Sequence, residues 1–384
     1  MHRALLLALC ALGAPALAHA QSSQFGVRGL GFPGRGTSVQ AMGSAGAFSM
    51  FDPASSTNPA ALTQARVFTA AFTVLQNYRS SRIVDLQESG RDTRFPQMAI
   101  GGPIRGTPLS FGVSFSTLTD RDFELASTAL VPIRGVPVEV FDTLASTGGI
   151  SDLRAAAAYA TGAWNFGAGV HVITGSNRVQ LNRVFADSAY APLTQRSEIS
   201  YAGAGVSAGI WRAFGERLAL AGMVRIDGEA SIDRDSGRVA EVRLPLTFGG
   251  AVRWRASGTL AVGGQAIVRQ WSRADEALRA LGGTGAQDAV DLSAGVEITR
   301  NARRVQHRPI RIGARFATLP FPVESGARVR EFGVSLGTGL RFAQDRAGID
   351  HAGVDLSLER VWRGARGGFR ESAWLIGLGV TVRP

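Results

Sequence analysis

The stretch Thr107–Thr117, TPLSFGVSFST, alternates between large apolar side chains and small ones along its whole length. Successive side chains of a β-strand point to opposite faces of the sheet, so a period of two divides this stretch into two faces. One face is fully apolar and the other is nearly bare. The apolar residues are Leu109, Phe111, Val113 and Phe115, and they alternate with Ser110, Gly112, Ser114 and Ser116.

The same two-faced pattern recurs from residue 67 to the end of the sequence, for example in Trp164–Val172, Val290–Ile298 and Trp374–Val382. Alternation of this kind over about ten residues predicts β-strands. Fourteen strands are predicted, near 67–78, 95–101, 107–118, 152–161, 163–175, 198–211, 217–228, 241–255, 258–271, 288–299, 309–317, 328–343, 349–361 and 372–383.

The connections between these strands alternate between short turns and long polar loops, the latter at 79–94, 119–151, 176–197, 229–240 and 272–287. Two connections, 300–308 and 362–371, fit this alternation less well. An even strand number with turns at one end and loops at the other is typical of an outer-membrane barrel. Because every backbone group in hydrocarbon must be paired, such a sheet has to close. The sequence therefore predicts an all-β fold, a membrane-spanning antiparallel β-barrel of about 14 strands in the bacterial outer membrane.

A soluble β-sandwich or a solenoid would show the same alternation between core and solvent faces. Strand length argues against the sandwich, since soluble strands usually have about five or six residues and membrane-spanning strands about ten. No repeat of fixed period supports a solenoid.

Charged residues of the non-apolar parity are expected to face the barrel interior, as a solvated or mutually paired lining. They are Arg243, Arg253, Arg269, Asp291, Glu297, Arg311, Arg315, Glu331, Arg341, Asp355 and Glu359.

The first twenty residues predict a secretory signal peptide. A basic start at His2 and Arg3 is followed by the apolar run 4–17 and the small-x-small site Ala18-His19-Ala20. A retained membrane anchor is the alternative, but the apolar run is too short to span a bilayer. The only cysteine, Cys10, lies inside this segment, so the mature chain is expected to have no disulfide, thiolate metal site or catalytic cysteine.

The formal net charge is +11, and all of its basic side chains except histidine are arginine. The arginines are scattered, without a basic cluster or an aromatic reader motif, which argues against nucleic-acid binding. Contact with outer-membrane lipid and the phosphates of lipopolysaccharide is the better interpretation.

Several short motifs match enzyme or cofactor sites in letters but not in context. Residues 29–34 match GxGxxG without a preceding strand or a following helix, and 205–209 and 333–337 both match GxSxG without a strand-to-helix turn at the serine. His171, His307 and His351 have no spacing that predicts a shared metal. We therefore predict no metal, no cofactor, no catalytic residue and no enzymatic activity.

The Gly-rich segment 21–66 shows no sustained period and precedes the first strand. Asp52 before Pro53 and Asn58 before Pro59 each predict a capped helical turn. The sequence is accordingly divided into a signal peptide (1–20), an N-terminal plug folded in the barrel lumen (21–66) and the barrel itself (67–384).

At these residues the sequence resembles the FadL/TodX family of outer-membrane transporters for hydrophobic compounds. The resemblance rests on Asn58-Pro59-Ala60, preceded by Asp52-Pro53-Ala54-Ser55 and by the Gly-rich run 43–48. It implies a fourteen-stranded barrel with a plug, inserted by the barrel assembly machinery, through which an apolar small-molecule ligand such as a fatty acid or aromatic hydrocarbon diffuses. The plug then shifts, or the wall opens sideways. Four plug aromatics, Phe25, Phe32, Phe48 and Phe51, either lie near the ligand or pack the plug against the wall.

The apolar loop 119–151 predicts either a surface capture groove or a segment folded over the rim. Barrels resembling PorV have a similar plug motif and act in protein secretion or surface attachment. A secreted protein partner is therefore the alternative to a small-molecule ligand.

Overall fold

The computed structural model describes residues 23–383 apart from 84–85, 236, 300–307, 325, 345–349 and 366–367. The predicted signal peptide with its Cys10 lies outside the described residues, as do the first two residues of the predicted plug and His307. The described chain is mostly antiparallel β-structure. None of its helices is long and apolar enough to cross a bilayer.

The strands form one continuous sheet. They are β1 (Phe32–Pro33), β2 (Thr69–Ile83), β3 (Leu86–Pro103), β4 (Leu109–Asp120), β5 (Phe123–Ile133), β6 (Val136–Thr161), β7 (Trp164–Phe185), β8 (Leu193–Phe214), β9 (Leu218–Asp227), β10 (Glu229–Arg234), β11 (Gly237–Arg243), β12 (Leu246–Arg255), β13 (Leu260–Gln270), β14 (Ala289–Ile298), β15 (Ile310–Leu319), β16 (Val329–Gln344), β17 (Asp350–Gly364) and β18 (Arg370–Val382).

Fourteen of these strands form the barrel wall: β2–β4, β6–β9 and β12–β18. The barrel closes where β18 pairs with β2, from Arg370 opposite Arg82 to Val382 opposite Ala70. Each predicted strand corresponds to one wall strand. The predicted fold class is confirmed, because the sheet is closed, antiparallel and fourteen-stranded.

Short helices interrupt this β-structure in two places. The N-terminal segment contains the 3-10 turns Gln24–Gly26, Ser49–Phe51 and Pro59–Gln64 and the α-helical turn Val39–Met42. The connection between β13 and β14 contains the 3-10 turn Trp271–Ala274 and the helix Asp275–Ala280.

One end of the barrel carries the tight turns 104–108, 162–163, 215–217 and 256–259. We call it the short-turn end, and the opposite end the long-loop end. The predicted loops 79–94, 119–151, 176–197 and 229–240 were wrong in detail, because strands run through most of each. Beyond the bilayer both faces of a strand are wet, so the period-two apolar signal fades while backbone pairing continues.

The predicted strand 241–255 is broken at Leu244–Pro245, between β11 and β12. Proline cannot donate to the backbone ladder, and the side-chain parity changes across the break. Val242 and Leu244 are buried, while Arg243 points outward, is 66% exposed and pairs with Glu229 at 3.0 Å. The expectation that Arg243 faces the interior was therefore wrong.

The other ten predicted interior charges do face inward: Arg253, Arg269, Asp291, Glu297, Arg311, Arg315, Glu331, Arg341, Asp355 and Glu359. Large apolar side chains of the opposite parity, such as Leu336, Ile376 and Trp374, lie on the outer wall and are exposed. An apolar outer band around a polar interior is the arrangement of a barrel in lipid.

The apolar segment 119–151 forms the hairpin of β5 with the first half of β6, which projects from the long-loop end. Leu130 is 70% exposed and Val136 is 60% exposed at its tip.

Candidate functional site

Residues 39–62 lie against a set of inward-facing glycines on nine wall strands. On β16, for example, a Cβ on Gly337 would lie 2.5 Å from the Gly43 Cα atom. A side chain at these positions would displace the N-terminal segment, so the bare strand face is shaped to receive it. The contacts are Gly112 with Leu62, Gly167 with Ala60, Gly209 with Asn58, Gly249 with Met50, Gly263 with Phe48, Gly295 and Gly313 with Ser44, Gly337 with Gly43, and Gly377 and Gly379 with Val39.

Asn58 caps the 3-10 turn Pro59–Gln64, as the sequence predicts, by accepting a bond of 3.0 Å from the Ala60 backbone N–H. Its amide nitrogen also donates to the carbonyl oxygen of Met50 at 3.1 Å and to that of Ile210 on β8 at 3.4 Å. The Trp211 indole donates to the Ala60 carbonyl at 3.1 Å. Asn58, Pro59 and Ala60 are all buried, so the motif fastens the N-terminal segment to the wall.

Asp52 caps a single turn, in which the Ser55 N–H donates to the Asp52 carbonyl at 3.1 Å, but the turn does not continue as a helix, which corrects that part of the prediction. Its carboxylate accepts bonds from the Ser38 hydroxyl at 2.5 Å, the Ser55 hydroxyl at 2.7 Å and the Ala54 backbone N–H at 3.1 Å. Local side-chain bonds of this kind compete with helix formation. Asp52 therefore joins two parts of the N-terminal segment.

The four aromatics singled out from the sequence occupy different places. Phe25 packs with Leu319 and Val329, and Phe51 packs with Met50 and neighbouring wall residues. Phe48 lies against Gly263 on β13. Phe32 lines a cavity, and its ring centre lies 4.5 Å from the Arg363 guanidinium carbon.

The cavity has a volume of about 100 Å³. A protein cavity of about 150 Å³ can bind benzene, so the space is of the order of one aromatic ring. Apolar groups make up much of its lining, among them Phe32, Leu75, Pro96 and Leu375. The charged lining comprises Arg35, Arg94, Arg269, Arg315, Arg363, Asp120, Asp291 and Glu331.

A belt of alternating charges beside this cavity joins seven neighbouring wall strands. In order around the barrel it runs through Arg269, Asp291, Arg315, Glu331, Arg363, Glu371 and Arg79. Arg315 binds Asp291 through two N–H groups at 2.9 and 3.0 Å. Buried charges need such partners, and each inner member of the belt has one on both sides.

Arg269, at one end of the belt, has the loosest ion pair in it. Its only ion-pair distance among the described residues is 3.9 Å, to the Asp291 carboxylate that Arg315 already binds with two hydrogen bonds. Arg269 is therefore the lining guanidinium best placed to accept an anionic group from a ligand.

The wall ladder is incomplete between β3 and β4. Their backbone pairing runs from Pro103–Ser110 to Gln97–Ser116 and stops there. Beyond this point β4 pairs instead with β1, so that Phe32 lies opposite Asp120 and Pro33 opposite Thr119. The cavity is lined by Pro96 of β3 and Thr117 of β4, on both sides of this divergence. We call it the β3–β4 gap.

The glycines of the GxGxxG sequence at 29–34 are needed because this part of the N-terminal segment packs against the backbone of β4 beside the β3–β4 gap. A Cβ at Gly34 would lie 1.9 Å from the Thr117 carbonyl oxygen, and one at Gly31 would lie 2.5 Å from that of Asp120. The Gly34 N–H donates to the Leu118 carbonyl at 2.9 Å. These glycines allow the N-terminal segment to approach the open edge of β4.

An apolar groove of about 380 Å³ lies on the outer wall next to the β3–β4 gap. It is lined by residues including Phe72, Met98 and Phe115, and Met98 and Phe115 form the pair adjacent to Gln97 and Ser116. The gap therefore lies between an interior cavity and an apolar groove that faces lipid.

Ser207 of the first GxSxG sequence hydrogen-bonds to a histidine, which sequence spacing did not predict. His171 Nε2 lies 2.8 Å from the Ser207 hydroxyl, and Nδ1 lies 2.8 Å from Asp152 Oδ1. Arg225 binds the other oxygen of Asp152 at 2.5 Å. The three residues occupy adjacent strands, which only the barrel topology brings together.

Hydrolysis by such a trio needs an accessible serine and free N–H donors for an oxyanion. Ser207 is buried, and its position on β8 is flanked by β7 and β9 in the ladder. Ser207 lines neither the interior cavity nor the outer groove. The arrangement is a buried cross-strand network. Ser335 of the second GxSxG sequence likewise donates to the Gly43 carbonyl at 3.1 Å.

Within the part of the chain that the structure describes, no group of three or more His, Cys, Asp or Glu side chains is arranged to hold a metal ion. His171 is engaged by Asp152 and Ser207, and His351 Nδ1 lies 2.9 Å from the Arg383 carbonyl oxygen.

The sequence matches no protein-family model and no curated protein. Its structure is similar to that of a FadL homologue from Pseudomonas aeruginosa, with a TM-score of 0.62 at 14% identity over 92% of this chain and 99% of the homologue. The toluene transporter TodX from Pseudomonas putida aligns with a TM-score of 0.57 at 13% identity, over 90% and 98% of the two chains. The monoaromatic hydrocarbon channel CymD aligns with a TM-score of 0.55 at 14% identity, over 93% and 99%.

The chain therefore has the fold of the FadL/TodX-type outer-membrane channels. This fold, together with the apolar outer wall, places it in the bacterial outer membrane. These structural neighbours are channels rather than enzymes.

Proposed function

We propose that the chain is an outer-membrane channel for hydrophobic small molecules, with residues 21–66 acting as its plug. The β3–β4 gap carries this proposal, because it lies between a partly apolar cavity inside the barrel and an apolar groove on the lipid-facing wall. In the proposed path the compound enters at the long-loop end, occupies the cavity and leaves sideways into the bilayer.

The sideways exit follows from the chemistry of the interior. The N-terminal segment makes close contacts with glycines on nine wall strands, and the belt places charged side chains along the interior of seven strands, which an apolar compound moving along the axis would have to pass. At the gap, by contrast, the wall is closed by two residues of the N-terminal segment and by side chains. Small shifts there open a path without breaking any wall-to-wall backbone pairing.

Two substrate classes suit different parts of the cavity lining. Phe32, Leu75, Pro96 and Leu375 suit a neutral aromatic hydrocarbon, while Arg269 suits an amphiphile with a carboxylate head. The looseness of the Arg269–Asp291 contact favours the amphiphile, so we propose a long-chain fatty acid or similar compound as the cargo.

Uptake of oleate and toluene by a transporter-deficient host tests the channel. Cells producing the chain are expected to take up at least one of these probes faster than cells with an empty vector. Leu375→Trp should abolish the gain by filling the cavity, whereas Ile376→Trp should not, because Ile376 lies on the outer wall and is 43% exposed. Equal uptake with and without the chain, for both probes, would contradict the proposal.

A role in protein secretion or surface attachment is the second candidate, and the exposed apolar tip of the β5–β6 hairpin favours it. If this role is correct, Leu130→Ser with Val136→Ser releases a surface protein into the medium and leaves uptake of oleate and toluene unchanged. If the variant leaves the complement of surface proteins intact, the second candidate is excluded.

A further inference from the structure

Trp271 is a buried tryptophan whose indole N–H has no hydrogen-bond partner among the described residues. Its side chain is 1% exposed, and the residue lines the interior cavity. A tryptophan inside a protein usually finds a partner for its N–H, as the half-buried Trp211 does with the Ala60 carbonyl at 3.1 Å. The remaining tryptophans are exposed: Trp164, Trp254, Trp362 and Trp374. Trp271 therefore holds an unused donor inside the barrel.

Neighbouring apolar residues hold the Trp271 ring in one position. The Phe321 ring meets it edge-on, with 5.0 Å between the ring centres and 67° between the ring planes. Phe321 in turn packs on Gly29 of the N-terminal segment, where a Cβ would lie 2.3 Å from the Phe321 Cδ1 atom. Trp271, Phe321 and Leu278 belong to one buried apolar cluster. A ring packed in this way keeps its rotamer, so the N–H does not turn toward bulk water.

Arg269 lies two residues before Trp271, and both residues line the cavity. Arg269 is the inward residue near the end of β13, which stops at Gln270. A step of two residues along a strand is about 7 Å and returns to the same face. The Arg269 side chain is 23% exposed and its ion-pair distance to Asp291 is 3.9 Å. A cation and a neutral donor therefore lie side by side at the cavity.

The carboxylates near these two donors are already bound by other groups. Asp291 accepts two hydrogen bonds from Arg315, and Glu331 also pairs with Arg315. Asp288 accepts from the Ser272 backbone N–H at 2.9 Å. A buried donor without an acceptor lowers stability. A bound molecule that brings an acceptor oxygen to the indole removes this cost, so the site favours oxygen-bearing compounds over plain hydrocarbons.

We propose that Trp271 and Arg269 together hold the head group of a carboxylate cargo. One carboxylate oxygen accepts the indole N–H and the other faces the guanidinium, which suits a group with two acceptor oxygens and one negative charge. The apolar part of the cargo then lies against Phe32, Leu75 and Leu375. This inference rests on the proposed channel function and adds a rule of selection. Trp271 recognises an acceptor oxygen, whether of an acid or an ester, and Arg269 recognises the charge.

Calorimetric titration of the detergent-solubilised full chain with laurate, methyl laurate and toluene tests the inference. Trp271→Phe keeps an aromatic ring but removes the N–H, so laurate binding should weaken about tenfold, the effect of losing one hydrogen bond to a charged group. Methyl laurate keeps a carbonyl acceptor and should weaken about threefold, since the lost bond is neutral. Toluene binding should not change.

Two other variants separate the roles of the two donors. Arg269→Gln should weaken the binding of laurate alone, because methyl laurate and toluene carry no charge. Trp374→Phe is the matched control, since Trp374 lies on the outer wall and is 45% exposed. It should bind all three compounds like the wild type.

Nuclear magnetic resonance of the wild-type chain, labelled with ¹⁵N at its tryptophan indoles, remains informative if Trp271→Phe fails to fold. Laurate should move one indole N–H signal downfield, because it supplies an acceptor to a donor that had none. Toluene supplies no acceptor oxygen and should not produce this downfield shift.

Four results would each overturn the proposal: no binding of laurate, equal laurate affinity in wild type and Trp271→Phe, a loss of toluene binding in that variant as large as the loss for laurate, or no downfield indole shift. The outcomes also separate this site from the channel. Laurate that binds as expected but is not taken up by cells would contradict the channel and leave the site in place. Uptake of oleate with unchanged laurate affinity in Trp271→Phe would contradict the site and leave the channel.

Discussion

Arg94 of β3 lies 3.0 Å from the Asp120 carboxylate of β4, across the part of the wall where these strands share no backbone hydrogen bonds. It also binds Asp92 at 2.5 Å on its own strand. An ion pair between side chains therefore bridges the β3–β4 gap where the ladder does not. Such a contact opens at much lower cost than a row of backbone bonds, which agrees with a sideways exit at this place.

A disulfide between the N-terminal segment and β4 should block transport. Pro33 and Thr119 are direct partners in an antiparallel pair, and such partners have the spacing that a disulfide requires. The only natural cysteine is Cys10, so Pro33→Cys with Thr119→Cys gives a clean pair. Uptake should fall under oxidation and recover after reduction.

The control for this lock is Val262→Cys with Val296→Cys, partners on β13 and β14 away from the gap. Oxidation should not affect its uptake. If the oxidised Pro33–Thr119 variant transports at the reduced rate, the N-terminal segment does not move at the gap.

Arg269→Gln should separate the two substrate classes. Loss of the guanidinium removes the proposed partner of a carboxylate head group, so oleate uptake should fall about tenfold, the effect of losing one bond to a charged group. Toluene uptake should be unchanged. Arg315→Gln is unsuitable as a control because it removes an ion-pair partner from both Asp291 and Glu331. Equal loss for both probes would show that Arg269 acts through cavity structure and not through charge.

Asn58→Ala should loosen the N-terminal segment without preventing barrel assembly. The change removes a cap worth about 1 kcal/mol and the two bonds to the Met50 and Ile210 carbonyls. We expect faster proteolysis of residues 23–66 in detergent and altered oleate uptake. Asn58→Asp keeps the capping oxygen but not the amide donor, so its rate of proteolysis should lie between those of the wild type and Asn58→Ala. Unchanged proteolysis in Asn58→Ala would show that the motif does not fasten the segment.

Gly337→Ala should destabilise the contact between the N-terminal segment and the wall by about 1–3 kcal/mol, the usual cost of overpacking. Its Cβ would lie 2.5 Å from the Gly43 Cα atom, where only backbone can give way. Thermal unfolding and proteolysis of the segment measure the effect. Gly250→Ala is the control, since its nearest neighbour would be 3.7 Å away. Equal behaviour of the two variants would contradict the close packing described here.

Asp122, in the connection between β4 and β5, should make the stability of the folded protein depend on pH. Burial raises its pKa from 3.8 to about 6, and the neighbouring Asp120 carboxylate contributes. The folded state therefore holds a proton that the unfolded state has released, so the stability contributed by Asp122 declines as pH rises from about 4 to about 6. It should be constant above that range.

Comparison of wild type with Asp122→Asn checks this sign. The melting temperature of the wild type relative to the variant should be highest near pH 4 and lowest above pH 6, with the change centred in that window. A difference that stays constant from pH 4 to pH 7 would mean that Asp122 does not titrate there.

The alternation in TPLSFGVSFST and its repeats was sufficient to predict a closed barrel, because hydrocarbon on one face and a polar interior on the other impose a period of two wherever the strand crosses the bilayer. Asn58 was also recognisable as a cap, since a capping residue before proline is a local signal. The strand extensions could not be predicted from the sequence, because outside the bilayer both faces of a strand meet water and no apolar alternation distinguishes them. The outward orientation of Arg243 could not be predicted either, because the break at Leu244–Pro245 reverses which residues of the strand face inward.

The sequence by itself determined the strand number, the two faces of the wall and the inward position of most charges, all of which depend on local period and solvent. Only the tertiary structure decided which residues meet across strands: Arg94 with Asp120, His171 with Asp152 and Ser207, and Arg370 with Arg82. It also decided that inward glycines receive the N-terminal segment. These contacts depend on register and barrel closure, which bring together residues far apart in the chain and leave no local pattern in its order.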